Sequence, residues 1–326
     1  LMPLLEVRNL DVVLDTRHRK IYAVNNVEFQ VNEGETVGLV GESGSGKSVT
    51  CRSILKLLPK GIGKMKKGEI LFEGINLATL AEKEMLNIRG KRIGMISQDP
   101  MSSLDPVYRI GDQIMEVLRR HEKLSRTEAK SRAVELLRLV GIPSPEKRIT
   151  QYPHELSGGM RQRVMIALAV SCNPKLLIAD EPTTALDVTV QDQVLQLLQR
   201  LQKEFGMGIL LVTHNLGVVA ETCDRVVVLY AGKVMEQAAT DALFKNPRHP
   251  YTLGLIRSVP QLDTDQELIG IPGSLPVLSE PVMGCPFQPR CSMATKECLK
   301  DEAVRLRKVA DGHWTACIHH ERVSVV

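Results

Sequence analysis

The octapeptide "GESGSGKS", residues 41–48, meets the pattern G-x-x-x-x-G-K-[ST] at every position. Glycines at 41, 44 and 46 let a backbone curl tightly and turn its N–H groups toward phosphate oxygens. Gly41, Ser43, Gly44, Ser45, Gly46 and Val49 are therefore expected to line a phosphate cradle. Lys47 is expected to reach the β- and γ-phosphates, and Ser48 to offer a hydroxyl to Mg²⁺. Further along, "LLIADEP", residues 176–182, is an apolar run that ends in two acids. Asp180 would hold Mg²⁺ and Glu181 would polarise an attacking water as general base. Alone, those acids read equally well as a strand end reaching solvent; a phosphate loop in the same chain gives them a task. Gln98 after "MIS" and His214 after "LLVT" also close apolar runs. Each could position water, Mg²⁺ or the γ-phosphate, although either one singly is an ordinary strand-end polar residue.

These residues need elements to hold them. "ETVGLVG" (35–41) is a short apolar run ending in glycine, the pattern of a buried strand, and a helix is expected from Lys47 to about Leu58, before Pro59. The phosphate loop thus falls between a strand and a helix N-terminus, where anions are favoured. Residues 4–13, 24–31 and 91–99 read as further strands, as do "KLLIAD" (175–180), "GILLVTH" (208–214) and "RVVVLYAG" (225–232). The helix "TVQDQVLQLLQRLQKEF" lies between the first two of these last three, an alternation that predicts an α/β fold with a mixed, mainly parallel sheet. From about 99 to 170 two stretches carry helical periodicity and no strand signal interrupts them, so this part reads as a helical insertion. After about Lys245, "NPRHPYT" and "GIPGSLPVLSEP" are rich in Pro and Gly, which places a boundary between 1–245 and a tail of 246–326 with little regular structure.

Bulk composition narrows the class. The chain has 326 residues, 43% hydrophobic and 25% charged, enough apolar content for a packed core. Its formal charge of +4 is spread along the chain, which gives no reason to expect nucleic acid as a partner. The densest basic run, "GKMKKGE" around Lys64 to Lys67, reads as a solvated turn. No stretch approaches the roughly 18 apolar residues that a membrane crossing needs. The expectation is a cytoplasmic protein whose contact with a membrane runs through a partner.

"LSGGMRQR" (156–163) adds a second candidate anion site, since Ser157, Gly158 and Gly159 precede a helical pattern. One nucleotide does not need two such loops, so this one is expected to serve a second subunit's nucleotide; an ordinary Ser-Gly-Gly helix start is the plainer alternative. The ordered set "GESGSGKS", "SQDP", "LSGGMRQR", "LLIADEP", "TALD" and "VTH" resembles the nucleotide-binding subunits of ABC transporters over residues 4 to about 245. The resemblance implies a head-to-tail pair of ATPase subunits, with ATP and Mg²⁺ between the phosphate loop of one and Ser157-Gly158-Gly159 of the other. It makes Gln98 the loop residue that senses Mg²⁺, the γ-phosphate and the permease. It makes Asp187 the link between the two sites and His214 the switch histidine at the γ-phosphate. Met160 stands where the commonest signature has Gln, and Thr184 where Ser is common. Leu14 holds the position of the usual adenine-stacking aromatic, with His18 and Tyr22 nearby.

The tail, with "SQDPMSSLDPVYRIGDQI" and "PRHPYTLGLI", resembles the ATPase subunits of oligopeptide and dipeptide importers, a subfamily with nickel-importing relatives. It carries four of seven cysteines at Cys285-x5-Cys291-x6-Cys298-x18-Cys317. That spacing matches neither the C-x2-4-C pairs of structural zinc nor ferredoxin runs, so spacing alone selects no metal. The resemblance implies a [4Fe–4S] cluster on these four residues, with zinc or unligated cysteines as alternatives. His313, His319 and His320 are possible substitute ligands. Cys51, Cys172 and Cys223 read as core residues. The resulting expectation is an ATP-hydrolysing subunit, peripheral on the inner face of the membrane, that drives peptide uptake. Its implied partners are a second ATPase subunit (a paralogue or a second copy), two permeases and, indirectly, an external substrate-binding protein. A nickel importer and a soluble, non-transport ATPase are the alternatives.

Overall fold

Buried apolar strands and the helices packed on them form two units in the computed structural model, which describes residues 2–98, 103–184, 186–259, 270–276 and 278–324. Leu1–Val31, Thr36–Ala78 and Leu211–Val326 make the first unit, and Asn32–Glu35 with Thr79–Leu210 the second.

The first unit holds an antiparallel sheet of β1 (Leu5–Asp15), β2 (Lys20–Val31), β4 (Gly63–Phe72) and β5 (Ile75–Asn76), in the order β2-β1-β4-β5. Alternation sends Leu5, Val7, Val27, Phe29, Ile70 and Phe72 inward, each 4% exposed or less. The lysine run read as a turn lies within β4, where Lys64 and Lys67 pair with Val13 and Asp11 of β1. Its side chains are largely solvated, as a strand with one wet face permits.

The same unit carries β3 (Thr36–Val40), parallel to β9 (Arg225–Tyr230). Antiparallel partners follow: β10 (Lys233–Ala239) on β9, β12 (His313–Thr315) on β10, and β11 (Arg307–Ala310) on β12. Every residue of β3 is buried, the pattern of a strand covered on both faces. Helix α1 (Lys47–Ile54) stops four residues short of the predicted end, because Lys56 takes a left-handed φ of 52°.

The second unit contains the parallel pair β6 (Ile93–Ile96) and β7 (Leu176–Asp180) and the helices α2 (Glu82–Met85), α3 (Ile110–Glu122), α4 (Arg126–Leu139), α5 (Pro145–Arg148), α6 (Gly158–Val170) and α7 (Val188–Phe205). A Cβ at Gly94 would lie 2.2 Å from the Ala169 carbonyl, so α6 sits against β6 at a distance only glycine allows. A reciprocal capping box starts α4: Ser125 Oγ accepts from Glu128 N–H at 3.3 Å and Glu128 Oε2 from Ser125 N–H at 2.8 Å. Arg163 donates to the Val140 carbonyl at 2.7 Å and to Gln193 at 3.1 Å, tying α6 to the end of α4 and to α7. Strand β8 (Gly208–Thr213) continues the chain back to the first unit, followed by α8 (Leu216–Thr222), α9 (Thr240–Lys245) and α10 (Pro250–Arg257). The predicted start of the helical insertion, residues 99–102, lies outside the described residues. None of the described helices is long and apolar enough to cross a membrane.

The tail is no discrete Cys-rich module. Strand β12 extends the sheet of the first unit, pairing Thr315 with Glu236 and Trp314 with Gln237. Beneath that pairing, His313 Nε2 and Glu236 Oε1 are 2.7 Å apart at 4% and 0% side-chain exposure. Lys233 Nζ donates to the Val282 carbonyl at 2.9 Å, and Tyr22 N–H to the Leu278 carbonyl at 2.8 Å. The Pro- and Gly-rich stretch thus runs along strands that would otherwise face water. At the head of α10, His249 is 1% exposed and caps the helix through Nδ1, which accepts from Tyr251 N–H at 3.1 Å.

Burial in an apolar setting pushes the His249 imidazole from 6.5 down to about 3. Unfolded, the ring takes a proton near 6.5; folded, it stays neutral until about 3, so its stability contribution is present above about 6.5 and lost as pH falls. Between pH 7 and 5 the wild type should lose about 2 kcal/mol of unfolding free energy from this group alone. His249→Asn keeps a capping acceptor and should remove that slope, which urea unfolding at the two pH values reads directly. Equal slopes in the two proteins would contradict the assignment.

Candidate functional site

The phosphate loop is shaped by atoms that leave no room for side chains. Gly41 has φ 152°, and a Cβ there would lie 2.1 Å from the Leu229 carbonyl oxygen. Gly46 has φ 103°, with its notional Cβ 2.4 Å from the Ala23 carbonyl oxygen, and Gly44 has φ 83°. Strands β9 and β2 therefore press on the loop through backbone, and the motif's glycines are the residues that permit it. From the turn after β9, Gly232 N–H donates to the Ser45 carbonyl at 2.9 Å. Ser45 itself is fully buried, and its hydroxyl lacks a hydrogen-bond partner, an inward-facing polar atom without a protein role. Lys47, 5% exposed, folds back so that Nζ donates to the carbonyls of Gly41 at 2.7 Å and Glu42 at 3.0 Å. A buried ammonium spanning its own loop occupies the place where an anion would bring compensating charge. Ser48 and Val49 follow in the first turn of α1, whose cap is Gly46 and carries no side-chain acceptor. Backbone N–H groups at this helix start are directed along the axis toward the loop, as an anion site requires.

His214 is in the same unit, at the end of β8, and is exposed. Its neighbours are anchored on both sides. Thr213 Oγ1 accepts from Asn215 N–H at 3.0 Å, and Asn215 Oδ1 accepts from Gly217 and Val218 N–H at 2.9 and 3.4 Å, capping α8. The imidazole is thus carried on a rigid backbone. Of the candidate adenine contacts, Leu14 pairs with Ile21 across the β1–β2 hairpin, and the Tyr22 carbonyl accepts from Asn25 Nδ2 at 2.9 Å.

In the second unit, Asp180 closes β7 at 2% exposure. Glu181 follows with φ 49°, a left-handed conformation for a non-glycine residue, held at a cost of about 1–3 kcal/mol. Its Oε2 accepts two hydrogen bonds, from Gln98 Nε2 at 3.0 Å and from Thr184 Oγ1 at 2.9 Å. The structure so brings together Gln98 and Glu181, which are 83 positions apart in sequence. Thr184 was legible only as a departure from a common motif, yet its hydroxyl fixes the carboxylate. The turn spacing, Thr184 N–H to the Glu181 carbonyl at 3.2 Å, is the local signal that could have found it. Asp187 caps α7, accepting from Val190 N–H at 2.9 Å, and Ser157 caps α6, accepting from Met160 N–H at 3.3 Å. Gly158 faces open space, with no atom within 4 Å of its notional Cβ, whereas Gly159 packs on Val190 at 2.9 Å.

The metal cluster expected in the tail is not borne out. Cys285, Cys291, Cys298 and Cys317 do border one small cavity, with His249 and His319. Among the described residues, however, no group of three or more His, Cys, Asp or Glu is placed to hold a metal ion, so both the [4Fe–4S] and the zinc expectations fall. The cavity has about 20 Å³, space for a water molecule and too little for a four-iron cluster. Burial favours the neutral thiol, pushing Cys285 up to about 11 and Cys317 up to about 12, and Cys291 in the same direction. Polar partners close by also engage these groups: Thr295 Oγ1 lies 3.7 Å from Cys298 Sγ and 3.0 Å from His319 Nε2, and His319 N–H donates to Cys317 Sγ at 3.3 Å. His313 is paired with Glu236 and is not a ligand in waiting.

Comparison with known proteins bears on this geometry. The family model described as "ABC transporter" matches residues 24–184, and that of the "Oligopeptide/dipeptide transporter, C-terminal region" matches 235–298. The chain is 55% identical over 313 residues to the oligopeptide transport ATP-binding protein OppD of Bacillus subtilis, covering 95% of this chain and 87% of that one. It is 52% identical to AppD of the same organism, over 98% of this chain and 97% of the relative. Among solved structures, the dimeric post-hydrolysis state of the ATP-binding cassette MJ0796 bound to ADP and Pi is similar at TM-score 0.65 and 31% identity, covering 72% of this chain and 98% of that one. CbiO1 from Clostridium perfringens is similar at TM-score 0.64 and 28% identity, covering 74% and 90% of the two chains.

The loop geometry carries a direct prediction. Gly46→Ala should drive a methyl group into the Ala23 carbonyl, lower unfolding free energy by at least about 2 kcal/mol and abolish measurable ATP binding. Thermal melting with and without ATP reads both; a wild-type ATP-induced shift in this variant would contradict the loop assignment.

Proposed function

The chain belongs to the ABC transporter family, as the ATP-binding subunit of an oligopeptide/dipeptide importer, and on that premise we propose the part each residue takes in ATP turnover. It is an ABC-type ATPase with a P-loop fold, a mixed sheet and helical insertions. The relatives reported above are peptide-transport proteins, so neither the nickel importer nor the soluble non-transport ATPase is retained.

The single observation that carries the proposal is the loop of residues 41–48, where backbone carbonyls pin the positive-φ glycines and Lys47 is buried across its own turn. ATP enters this loop with its phosphates against the N–H groups of Gly44 to Val49, that of Ser45 among them, and the Ser43 hydroxyl. Lys47 then leaves the Gly41 and Glu42 carbonyls for the β- and γ-phosphates. Ser48, Gln98 and Asp180 would hold Mg²⁺ through hydroxyl, amide and carboxylate oxygens, the hard donors this ion takes, and the ion would supply charge that offsets the phosphates. Glu181 orients and deprotonates the attacking water. The two donors on its Oε2 and its strained backbone hold the carboxylate in one orientation before substrate arrives. His214, on its braced backbone, meets the γ-phosphate, and Gln98 reports the state of that phosphate to the membrane partner.

Ser157, Gly158 and Gly159 are proposed to complete the site of a second ATPase subunit. Support comes from the open space before Gly158 and from the dimeric form of the similar cassette. Asp187, which caps α7, would link the two sites. The chain divides, in this reading, into an ATPase part (1–245, with the helical subdomain at about 99–170) and an importer-type extension (246–326). Its partners would be a paralogous ATPase subunit or a second copy, two permeases, and an external binding protein reached through them. It would lie on the cytoplasmic face of the membrane.

Glu181→Gln keeps the shape of the side chain and removes the base. Steady-state ATPase assays should show a fall of at least about 100-fold in kcat, while calorimetry finds ATP affinity within about twofold of wild type. An unchanged turnover rate would sink the general-base role.

A further inference from the structure

The phosphate loop carries one acid, Glu42, at its second position. That carboxylate is met from the tail. Arg290 Nη1 lies 2.8 Å from Glu42 Oε2, with 7% and 28% of the two side chains exposed. Three further N–H groups of the guanidinium are also engaged. Nη1 reaches the Tyr230 hydroxyl at 3.2 Å, Nε donates to the Pro272 carbonyl at 2.7 Å and Nη2 to the Ile271 carbonyl at 3.2 Å. The guanidinium carbon sits 5.6 Å from the Tyr230 ring centre and 5.9 Å from that of Phe287, a cation–π setting on two faces. The backbone of Glu42 is held by the same structure: its N–H donates to the Tyr251 hydroxyl at 2.9 Å, and Tyr251 stacks edge-on against Tyr230 at 4.7 Å. Leu275, from the segment that wraps Arg290, approaches Gly44 to 3.4 Å of its notional Cβ. Three tail residues, Arg290, Tyr251 and Leu275, thus converge on the second and fourth positions of the phosphate loop.

We propose that Arg290 is a positioning residue for ATP binding: it neutralises Glu42 and holds it, so that the phosphate loop presents no uncompensated negative charge to the nucleotide. The physical reason lies in the asymmetry of charged pairs. An exposed ion pair contributes little, but a largely buried arginine with four of its five N–H donors engaged holds a carboxylate in one place. Without the arginine, Glu42 is an uncompensated acid on the loop that takes the phosphates, and it repels them. The tail thereby acts on nucleotide affinity, a role that requires no metal. This inference rests on the reading of residues 41–48 as the nucleotide loop.

The test is calorimetric titration of the full chain with ATP and Mg²⁺, together with steady-state kinetics. Arg290→Ala should weaken ATP affinity about tenfold and raise KM by a like factor, with kcat at saturation within about twofold. The defect should shrink in about 0.5 M salt, because it is a charge effect. The double variant Arg290→Ala/Glu42→Gln should return to within about twofold of wild type. A double variant as weak as Arg290→Ala alone, or wild-type affinity in Arg290→Ala, would overturn the proposal. If Arg290→Ala does not fold, Glu42→Gln carries the test: removing the acid while Arg290 stays should tighten ATP binding about threefold or more, and unchanged or weaker binding would overturn it. Lys47→Ala distinguishes the two levels of argument. Wild-type ATP affinity in that variant defeats the nucleotide-loop reading itself, whereas loss of binding there with no effect of Arg290→Ala defeats only the brace.

Discussion

Two carbonyl oxygens, of Ala23 and Leu229, set the shape of the phosphate loop by lying where Cβ atoms would be at Gly46 and Gly41. Much else in the first unit follows from that contact. The strands that carry those carbonyls must hold their positions to within a few tenths of an ångström. They do so through continuous buried runs, "TVGLV" in β3 and "VVVLY" in β9, paired in parallel from Val37–Arg225 to Val40–Val228. The turn after β9 returns through Gly232 to grip the loop at the Ser45 carbonyl. A sheet held this tightly allows a helix start to wait, pre-shaped, for an anion, so that little of the binding free energy goes into ordering the loop.

The second unit solves a different problem. In the proposed cycle the Glu181 carboxylate meets water and phosphate together, which calls for one fixed orientation. Glu181 is held by a left-handed backbone and by two neutral donors, Gln98 and Thr184, neither of which would compete for the proton it is proposed to accept. Gln98 has a second function in the proposed cycle, and its hydrogen bond to Glu181 gives a physical route by which loss of the γ-phosphate would reach the helical region. The caps of α6 and α7, Ser157 and Asp187, put the two other named residues at helix starts, where their backbones are fixed.

How much of this was legible in the sequence depended on distance along the chain. The phosphate loop reads directly, because eight consecutive residues encode both the glycines and the charge. The strands around it read almost to the residue, since burial on both faces leaves unbroken apolar runs. The Gln98–Glu181 hydrogen bond was invisible, because nothing local to either residue names the other. Lys64 to Lys67 suggested a turn, but one wet face is all a strand needs to carry lysines. Four cysteines suggested a cluster, but spacing is not geometry: the thiols border a cavity of about 20 Å³, and among the described residues no group of three or more candidate ligands is placed to hold a metal ion. Arg290 is one of several arginines in the tail and carries no local signature, so its significance is entirely three-dimensional.

Amide hydrogen exchange across residues 41–49, measured with and without ATP and Mg²⁺, tests the central claim most directly. The account predicts strong protection of the N–H groups from Gly44 to Val49 when ATP is present, with the loss of that protection in Lys47→Ala. Exchange in this segment that is indifferent to ATP would contradict it, because those N–H groups are where the phosphates must lie.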